Sequence, residues 1–425
     1  MRSKQSGRRR FLKEGAALAG LALGAIRPAS GQEPGSEQPG VSSGGFRAYG
    51  ERSRFVTSVR TLDPSGQLSP LQDSLGIITP SGLHNVQSRG YDPPDIDPRQ
   101  HRLLIHGLVD RPLTFTLAEL KRLPSVSRIH FIECSGNTGR TALEEKAATI
   151  QQTHGKTSCS EWTGVLLSLL LREVGVQKGA SWLVAEGAEK GNRTESIPLE
   201  KAMDDVLMAY GQNGEPLRPE QGYPLRLVVA GWNGGINVKW LRRITLVDQP
   251  AMSKQEVGTL VPDGKGGWRF DSAMAQKVHY AEMPPKSVIT FPSGGQKLPS
   301  RGFYEITGLA WSGWGAIRTV EVSTDGGRTW KDAPLQEPVH RKAHTRFRFA
   351  WNWNGEEALL QSRCTDERGN VQPTLAELSK AMGVNSDYWQ SDYWKSTATS
   401  ERYGLNAVQP WKVARDGGVQ NAMFS

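Results

Sequence analysis

Cys134 is the residue of this chain best placed to do chemistry. Residues 129–133 read as a strand, and Cys134 follows directly, ahead of Ser135-Gly136-Asn137-Thr138-Gly139. A cysteine at a strand end, before a glycine-rich loop, is open to whatever that loop surrounds. Loop amides stabilise a thiolate, and a thiolate is a soft ligand for a metal that accepts sulfur. The competing reading is a buried apolar cysteine, and the residue alone does not choose between them. With Cys159 and Cys364 the chain has three cysteines, so in an oxidising compartment at least one thiol is left over or bound. No Cys-x-x-Cys pair occurs, with or without a following histidine. That excludes an attached c-type haem and counts against an iron–sulfur cluster or a structural zinc. His340 and His344 have the spacing of metal ligands on a helix face, but their surroundings are strand-like, so they read as a surface loop. His84, His106 and His130 are candidates to face a cavity, with no one of them preferred. Residues 40–44, Gly-Val-Ser-Ser-Gly, match the spacing of a hydrolase nucleophile elbow but lack the flanking strand and helix it requires.

The leader bears on the same question. Arg8-Arg9-Arg10-Phe11-Leu12-Lys13 precedes an apolar run over 15–26, too short to span a bilayer. The pattern reads as a twin-arginine export signal over residues 1–31, and that route carries folded proteins, most often because a cofactor is installed first. The expected location is therefore periplasmic. The formal charge of +9 is concentrated here: seven basic residues and one acidic residue precede residue 32, leaving +3 on the rest. A nucleic-acid partner is not implied.

Residues 32–50 are rich in Gly, Ser, Pro and Gln and read as a linker. From 51 to 250 strand and helix patterns alternate. Strands are expected at 103–105, 182–185, 225–229 and 239–247. A capping box at Thr116 and Glu119 opens a short helix, an apolar helix covers 164–174, and Pro198 starts another. No Gly-x-Gly-x-x-Gly follows the first strand, which argues against a dinucleotide fold. Residues 251–285 read as an irregular connector. From 286 to 425 the pattern is β only, with strands at 287–291, 303–311, 317–323, 346–353 and 358–365 and a hairpin turn at Asp325-Gly326-Gly327. Regular turns there predict a β-sandwich. The tail from 376 is aromatic and polar with little periodicity, and is expected to wrap the body or a partner.

Several runs resemble the sulfite oxidase family of molybdopterin proteins, and within it the molybdenum subunits of periplasmic sulfane (sulfite) dehydrogenases. They are residues 131–134 (Phe-Ile-Glu-Cys), 158–165, 210–217, 222–229 and 238–244, with 308–313 and 360–363 in the second domain. The resemblance implies a mixed α+β molybdopterin-binding domain followed by an immunoglobulin-like β-sandwich dimerisation domain. It implies one mononuclear molybdenum held by a pterin dithiolene and by Cys134. Arg226 and Lys239 match the basic residues that hold the pterin phosphate, a role that suits fixed cations with directed N–H donors. Asn237 and Val238 would offer backbone amides beside Lys239. Glu189 and Gln221 stand where the family places a pterin-contacting Asp and His, and Trp162 would line the cofactor cavity. Two departures concern the substrate. Gln87 takes the place of an anion-holding Arg, with Arg89 or Arg140 as the compensating cation, and residues 255–259 lack the family's active-site Tyr. The implied activity is oxidation of sulfite or a protein-bound sulfane sulfur, with electrons leaving to a separate c-type cytochrome and the chain assembled as a homodimer or hetero-oligomer. The alternatives are a sulfoxide or oxyanion reductase, or a non-catalytic subunit that carries the cofactor.

Overall fold

A computed structural model describes residues 49–64, 66–87, 92–138, 146–191, 193–253, 260–262, 268–270, 282–390 and 405–423. The export signal and most of the expected linker lie outside them. The chain divides into two compact units, Met1–Val59 and Arg60–Ser425. In the first, the described residues 49–59 carry neither helix nor strand, and Arg54 lies 4.8 Å over the Phe55 ring.

The second unit begins with an α+β region. In chain order its elements are β1 (Thr61–Asp63), β2 (Gly66–Leu68), β3 (Val86–Gln87), β4 (Arg102–Gly107), β5 (Leu113–Thr116), α1 (Leu117–Leu120), β6 (Val126–Glu133), α2 (Ile150–His154), β7 (Thr157–Leu166), α3 (Leu167–Val174), β8 (Trp182–Gly187), β9 (Thr194–Pro198), α4 (Leu199–Asp204), β10 (Leu207–Gln212), β11 (Glu215–Pro216), β12 (Arg226–Val228) and β13 (Leu241–Val247). Three sheets result: β1-β2-β3; β11-β10-β7-β6, with β12 also on β10; and β5-β4-β13-β8-β9, in which only β13 and β4 run parallel. The capping box forms as expected: Thr116 accepts from the Glu119 amide, and Glu119 reaches back to the Thr116 amide. The expected helix over 164–174 starts later, at Leu167. Residues 164–166 are consumed by the β7–β10 ladder, which runs on to Leu166↔Leu207.

A short ribbon, β14 (Leu260–Pro262) and β15 (Trp268–Phe270), precedes the second region. That region is a sandwich of β16 (Lys286–Phe291), β17 (Gly302–Trp311), β18 (Ile317–Ser323), β19 (Lys331–Asp332), β20 (Thr345–Trp353), β21 (Ala358–Asp366), α5 (Leu375–Met382), β22 (Trp411–Val413) and β23 (Val419–Asn421). One sheet is β16-β17-β20 and the other is β19-β18-β21-β22-β23. Gly326 and Gly327 have positive φ, as a tight turn there requires. The turn, however, returns β18 to the two-residue β19, a strand too short to show a period. The tail also differs from expectation. After α5, residues 405–423 add two strands to the second sheet, with Trp411 fully buried and its Nε1 donating to the Ile289 carbonyl at 3.1 Å.

One apolar core runs through both regions. Phe131, Ile150 and Cys159 of the first pack with Val288, Ile306, Trp311 and Phe347 of the second. His344 belongs here and not to a surface loop: it is 1% exposed, its ring stacked at 6.1 Å on Phe131 and 5.1 Å from Trp311.

Candidate functional site

β6 delivers Cys134. The β6–β7 ladder is unbroken from Val126↔Gly164 to Glu133↔Thr157, so regular pairing stops one residue before the thiol. The Cys134 amide then donates to the Lys156 carbonyl, and the Asn137 amide donates back to the Cys134 carbonyl, each at 2.9 Å. Cys134 is half-buried, whereas Cys159 and Cys364 are fully buried, and none of the three is in a disulfide. Burial pushes the Cys159 thiol up to about 12 and moves Cys364 the same way. Cys134 is therefore the sulfur able to meet a ligand, and the reading of it as a packed apolar residue fails. Among the described residues no three His, Cys, Asp or Glu side chains cluster as a metal site.

On β12 and in the turn before β13 lies a pair of cations. Arg226 opens β12 and is 3% exposed. Its guanidinium donates only to neutral acceptors: the Gln221 carbonyl at 2.9 Å, Gln221 Oε1 at 3.3 Å, the Asn237 carbonyl at 3.3 Å and the Leu227 carbonyl at 3.3 Å. Its Cζ lies 4.8 Å over the Trp162 ring. Lys239 donates to the carbonyls of Glu220 at 2.9 Å and Gln87 at 3.2 Å. Among the described residues neither cation forms an ion pair. Burial pulls Arg226 down to about 9 and Lys239 down to about 7, with Arg226 itself adding to the second shift. Glu189 and Glu220 oppose that shift on Lys239 only from a distance. A buried guanidinium beside a half-buried ammonium, neither in an ion pair, is costly, and a bound dianion would relieve it. Beside Lys239, Trp240 sits at φ 50 in the left-handed region, its Nε1 donating to the Pro219 carbonyl at 2.9 Å. Such a conformation in a bulky residue marks a site whose surroundings enforce it.

His84, with no preferred role in the sequence, completes this cradle. It is 1% exposed, edge-on to Trp162 at 5.5 Å, and its Nε2 has no hydrogen-bond partner. Burial, with Arg226, Lys239 and Arg60 adding to it, drives its pKa down to about 3, so the ring is neutral. Its Nδ1 lies 3.1 Å from the Asn85 carbonyl, which also accepts from Gln221 Nε2 at 3.1 Å. Asn85 in turn bonds the Ser158 hydroxyl through its amide at 2.9 Å and its Oδ1 at 2.7 Å. Ser158 pairs with Ile132 in the ladder. A hydrogen-bonded path thus joins the Cys134 strand to the cation pair. Asn85 carries no sequence signal of its own, and Ser158 appears only as the first residue of the 158–165 run.

The remaining expected residues fall as follows. Gln221 is buried and braces Arg226 with both its carbonyl and its side chain. Glu189 is half-buried, with a carboxylate oxygen 2.0 Å from where a Cβ on Gly187 would stand. Asn237 and Val238 were expected to offer backbone amides; those amides instead donate to the Gly234 and Ile236 carbonyls and close the turn. Asn237 acts through its side chain, which accepts from the Val229 amide at 2.8 Å and donates to the Asn233 carbonyl at 2.9 Å. Trp162 is wholly buried beneath Arg226 and His84, its Nε1 on the His130 carbonyl at 3.1 Å. Gln87 supplies its carbonyl to Lys239 and folds its own Nε2 onto the Val86 carbonyl at 3.2 Å. Arg89, Arg140 and residues 255–259 lie outside the described residues.

A half-buried cysteine at a strand end, a buried arginine and a half-buried lysine without ion pairs among the described residues, and a neutral histidine with an orphaned nitrogen fit a phosphate-bearing cofactor that carries most of a metal's ligands. Comparison with known proteins agrees. The oxidoreductase molybdopterin binding domain family matches residues 90–255, and the Mo-co oxidoreductase dimerisation domain family matches 277–393. A chain of the sulfane dehydrogenase SoxCD from Paracoccus pantotrophus is 35% identical, with a TM-score of 0.77, covering 93% of this chain and 97% of that one. Human mitochondrial sulfite oxidase is 32% identical over 328 residues, 70% of this chain and 58% of that protein. Nitrate reductase [NADH] 2 of Phaseolus vulgaris is 30% identical over 405 residues, 86% of this chain and 45% of that protein. The chain thus spans only about half the length of the curated relatives it matches. It belongs to the sulfite oxidase family of molybdenum oxidoreductases, as a cofactor-binding domain followed by a dimerisation domain. Its cofactor is molybdenum-molybdopterin.

Proposed function

We propose that the protein oxidises a sulfur compound, sulfite or a protein-bound sulfane sulfur, and passes the electrons to a c-type cytochrome after export by the twin-arginine route to the periplasm. The observation that carries the choice of sulfur is the near-complete overlap, at 35% identity, with a chain of a sulfane dehydrogenase. When bound, the molybdenum supplies oxygen-atom transfer and takes up the two electrons; for sulfite the balance is sulfite plus water giving sulfate, two protons and two electrons. Cys134 holds the metal from the end of β6. Arg226 and Lys239 hold the pterin phosphate, with His84 Nε2 and Glu189 beside them. Gln221, Asn237 and Trp162 keep Arg226 aimed at it. The substrate anion is held by Gln87 with Arg89 or Arg140, and Gln87 replaces a charge with an amide, which weakens the hold on a dianion. A weaker hold suits a sulfur atom carried on a partner, where the partner supplies part of the binding energy. The catalytic domain is read as residues 51–250, joined through 251–285 to a dimerisation domain at 286–425.

The nitrate reductases among the relatives favour a second reading, reduction of an oxyanion on the same fold. Two assays on the mature, molybdenum-loaded protein separate them. Cytochrome c reduction that depends on sulfite or a sulfane-carrying protein supports the first reading. Turnover of nitrate or a sulfoxide with a reduced dye, and none with sulfur donors, replaces it with the second.

A further inference from the structure

Glu133 stands immediately before Cys134 and is fully buried. Its carboxylate takes three donors from three places. Lys286 Nζ of β16 lies at 2.6 Å and Asn137 Nδ2 of the cysteine turn at 2.8 Å, both on Oε1; Trp311 Nε1 of β17 lies at 2.7 Å on Oε2. Lys286 is also fully buried and reaches Thr138 Oγ1 at 3.0 Å. An ion pair in hydrocarbon adds little stability over apolar side chains of the same shape. What it does well is fix a geometry, and the geometry here is that of the cysteine turn. Asn137 accepts the Lys156 amide on Oδ1 at 3.0 Å while its other end is held by Glu133. Thr138, a β-branched residue, is held at φ 57. Its amide donates to the Thr153 carbonyl at 2.9 Å, and its hydroxyl bonds Lys286 and the Leu405 carbonyl of the C-terminal segment. A left-handed Thr costs on the order of 1–3 kcal/mol and persists only where its neighbours dictate it.

We propose that Glu133 is the positioning residue for the Cys134 sulfur, and that the second domain sets its position through Lys286 and Trp311. The inference rests on the reading of Cys134 as the molybdenum ligand. None of the three side chains reaches solvent, so none touches substrate; they act through the sulfur they orient. The second domain is then part of the metal site as well as a dimerisation module. Groups that orient a ligand tune its metal even though they never bind it.

The test uses full-length, molybdenum-loaded protein and the Mo(V) EPR spectrum after partial reduction, which needs no assumption about substrate. Trp311→Phe keeps an aromatic ring, though a smaller one, and removes one donor. Glu133→Gln with Lys286→Met removes the ion pair without stranding a charge. Both are expected to retain molybdenum and to shift the Mo(V) g-values, because the thiolate changes its angle to the metal. Molybdenum-loaded variants that melt at lower temperature but give the wild-type spectrum would overturn the proposal, leaving Glu133 a purely structural residue. Failure of both variants to load molybdenum would overturn it as well, since positioning alone spares cofactor uptake. The underlying assignment is read separately in Cys134→Ser by X-ray absorption at molybdenum. Loss of one sulfur scatterer supports it, and an unchanged sulfur shell overturns the ligand role itself.

Discussion

In the proposed phosphate site Arg226 and Lys239 would do the same work by different physics, and the difference is measurable. Arg226 stays charged at neutral pH even with its pKa drawn down to about 9. Arg226→Ala removes directed donors worth about 1.5–3 kcal/mol to a charged partner. Molybdenum content after dialysis is expected to fall roughly tenfold or more, with the circular dichroism of the protein unchanged; full retention argues against a phosphate role. Lys239, drawn to about 7 before any ligand binds, is only half charged at neutral pH. A bound phosphate raises that value again, so binding takes up a proton wherever the pH exceeds about 7. Affinity should then fall by up to about tenfold per pH unit above 7. Retention of the cofactor measured from pH 6 to 9 tests this directly. Lys239→Arg is expected to abolish the slope, and a slope that survives assigns the proton elsewhere.

At the scale of elements, the seam between the domains is closed by backbone. Met283 donates to the Gly231 carbonyl at 2.9 Å and accepts from the Gly313 amide at 2.7 Å. A Cβ on Gly313 would stand 2.0 Å from the Gly231 carbonyl oxygen, a contact no side-chain rotation relieves. Gly313→Ala should therefore cost about 1–3 kcal/mol through forced backbone movement. Urea unfolding is the measurement, and a stability equal to wild type would mean the seam is looser than this geometry allows. This seam also shows what the sequence could and could not reveal. Long strands such as β6, β17, β20 and β21 were legible because their apolar content spans enough residues to declare a strand. Cys134 and Arg226 were legible because each lies in a run with a distinctive order. Strands β19, β22 and β23 have two or three residues each, too few for any period. His84 and Asn85, in the turn before β3, meet Ser158 of β7 some 73 residues on, and Lys286 and Trp311 reach Glu133 across more than 150 residues of chain. No local pattern encodes such meetings; they are products of tertiary packing.

For the whole molecule, the histidines decide how the fold answers acid. Burial holds His344 down to about 3 and His130 down to about 4, and moves His154 well below its ordinary value. Unfolded, each titrates near 6.5. Between about pH 6.5 and 4 the unfolded chain therefore binds protons that the folded chain refuses, so stability falls as pH falls through that window. His344 and His130 each contribute a slope of about 1.4 kcal/mol per pH unit there, about 3 together, and His154 adds in the same direction. Against a total stability of roughly 5–15 kcal/mol, a drop from pH 6.5 to 4.5 removes a large share of it. His344 has the widest consequences, because its ring lies between Phe131 of the first domain and Trp311 of the second, with Nε2 3.0 Å from the Thr157 hydroxyl. Charging it breaks the shared core beside the Glu133 network and frees the cysteine turn along with the domain contact. His344→Gln keeps a polar group for Thr157 but cannot titrate. Urea unfolding at pH 7, 6 and 5 should show its stability falling about 1.4 kcal/mol per pH unit less steeply than wild type. Parallel curves for the two proteins would mean that His344 is already solvated in the folded state, and that the two domains do not share one dry core.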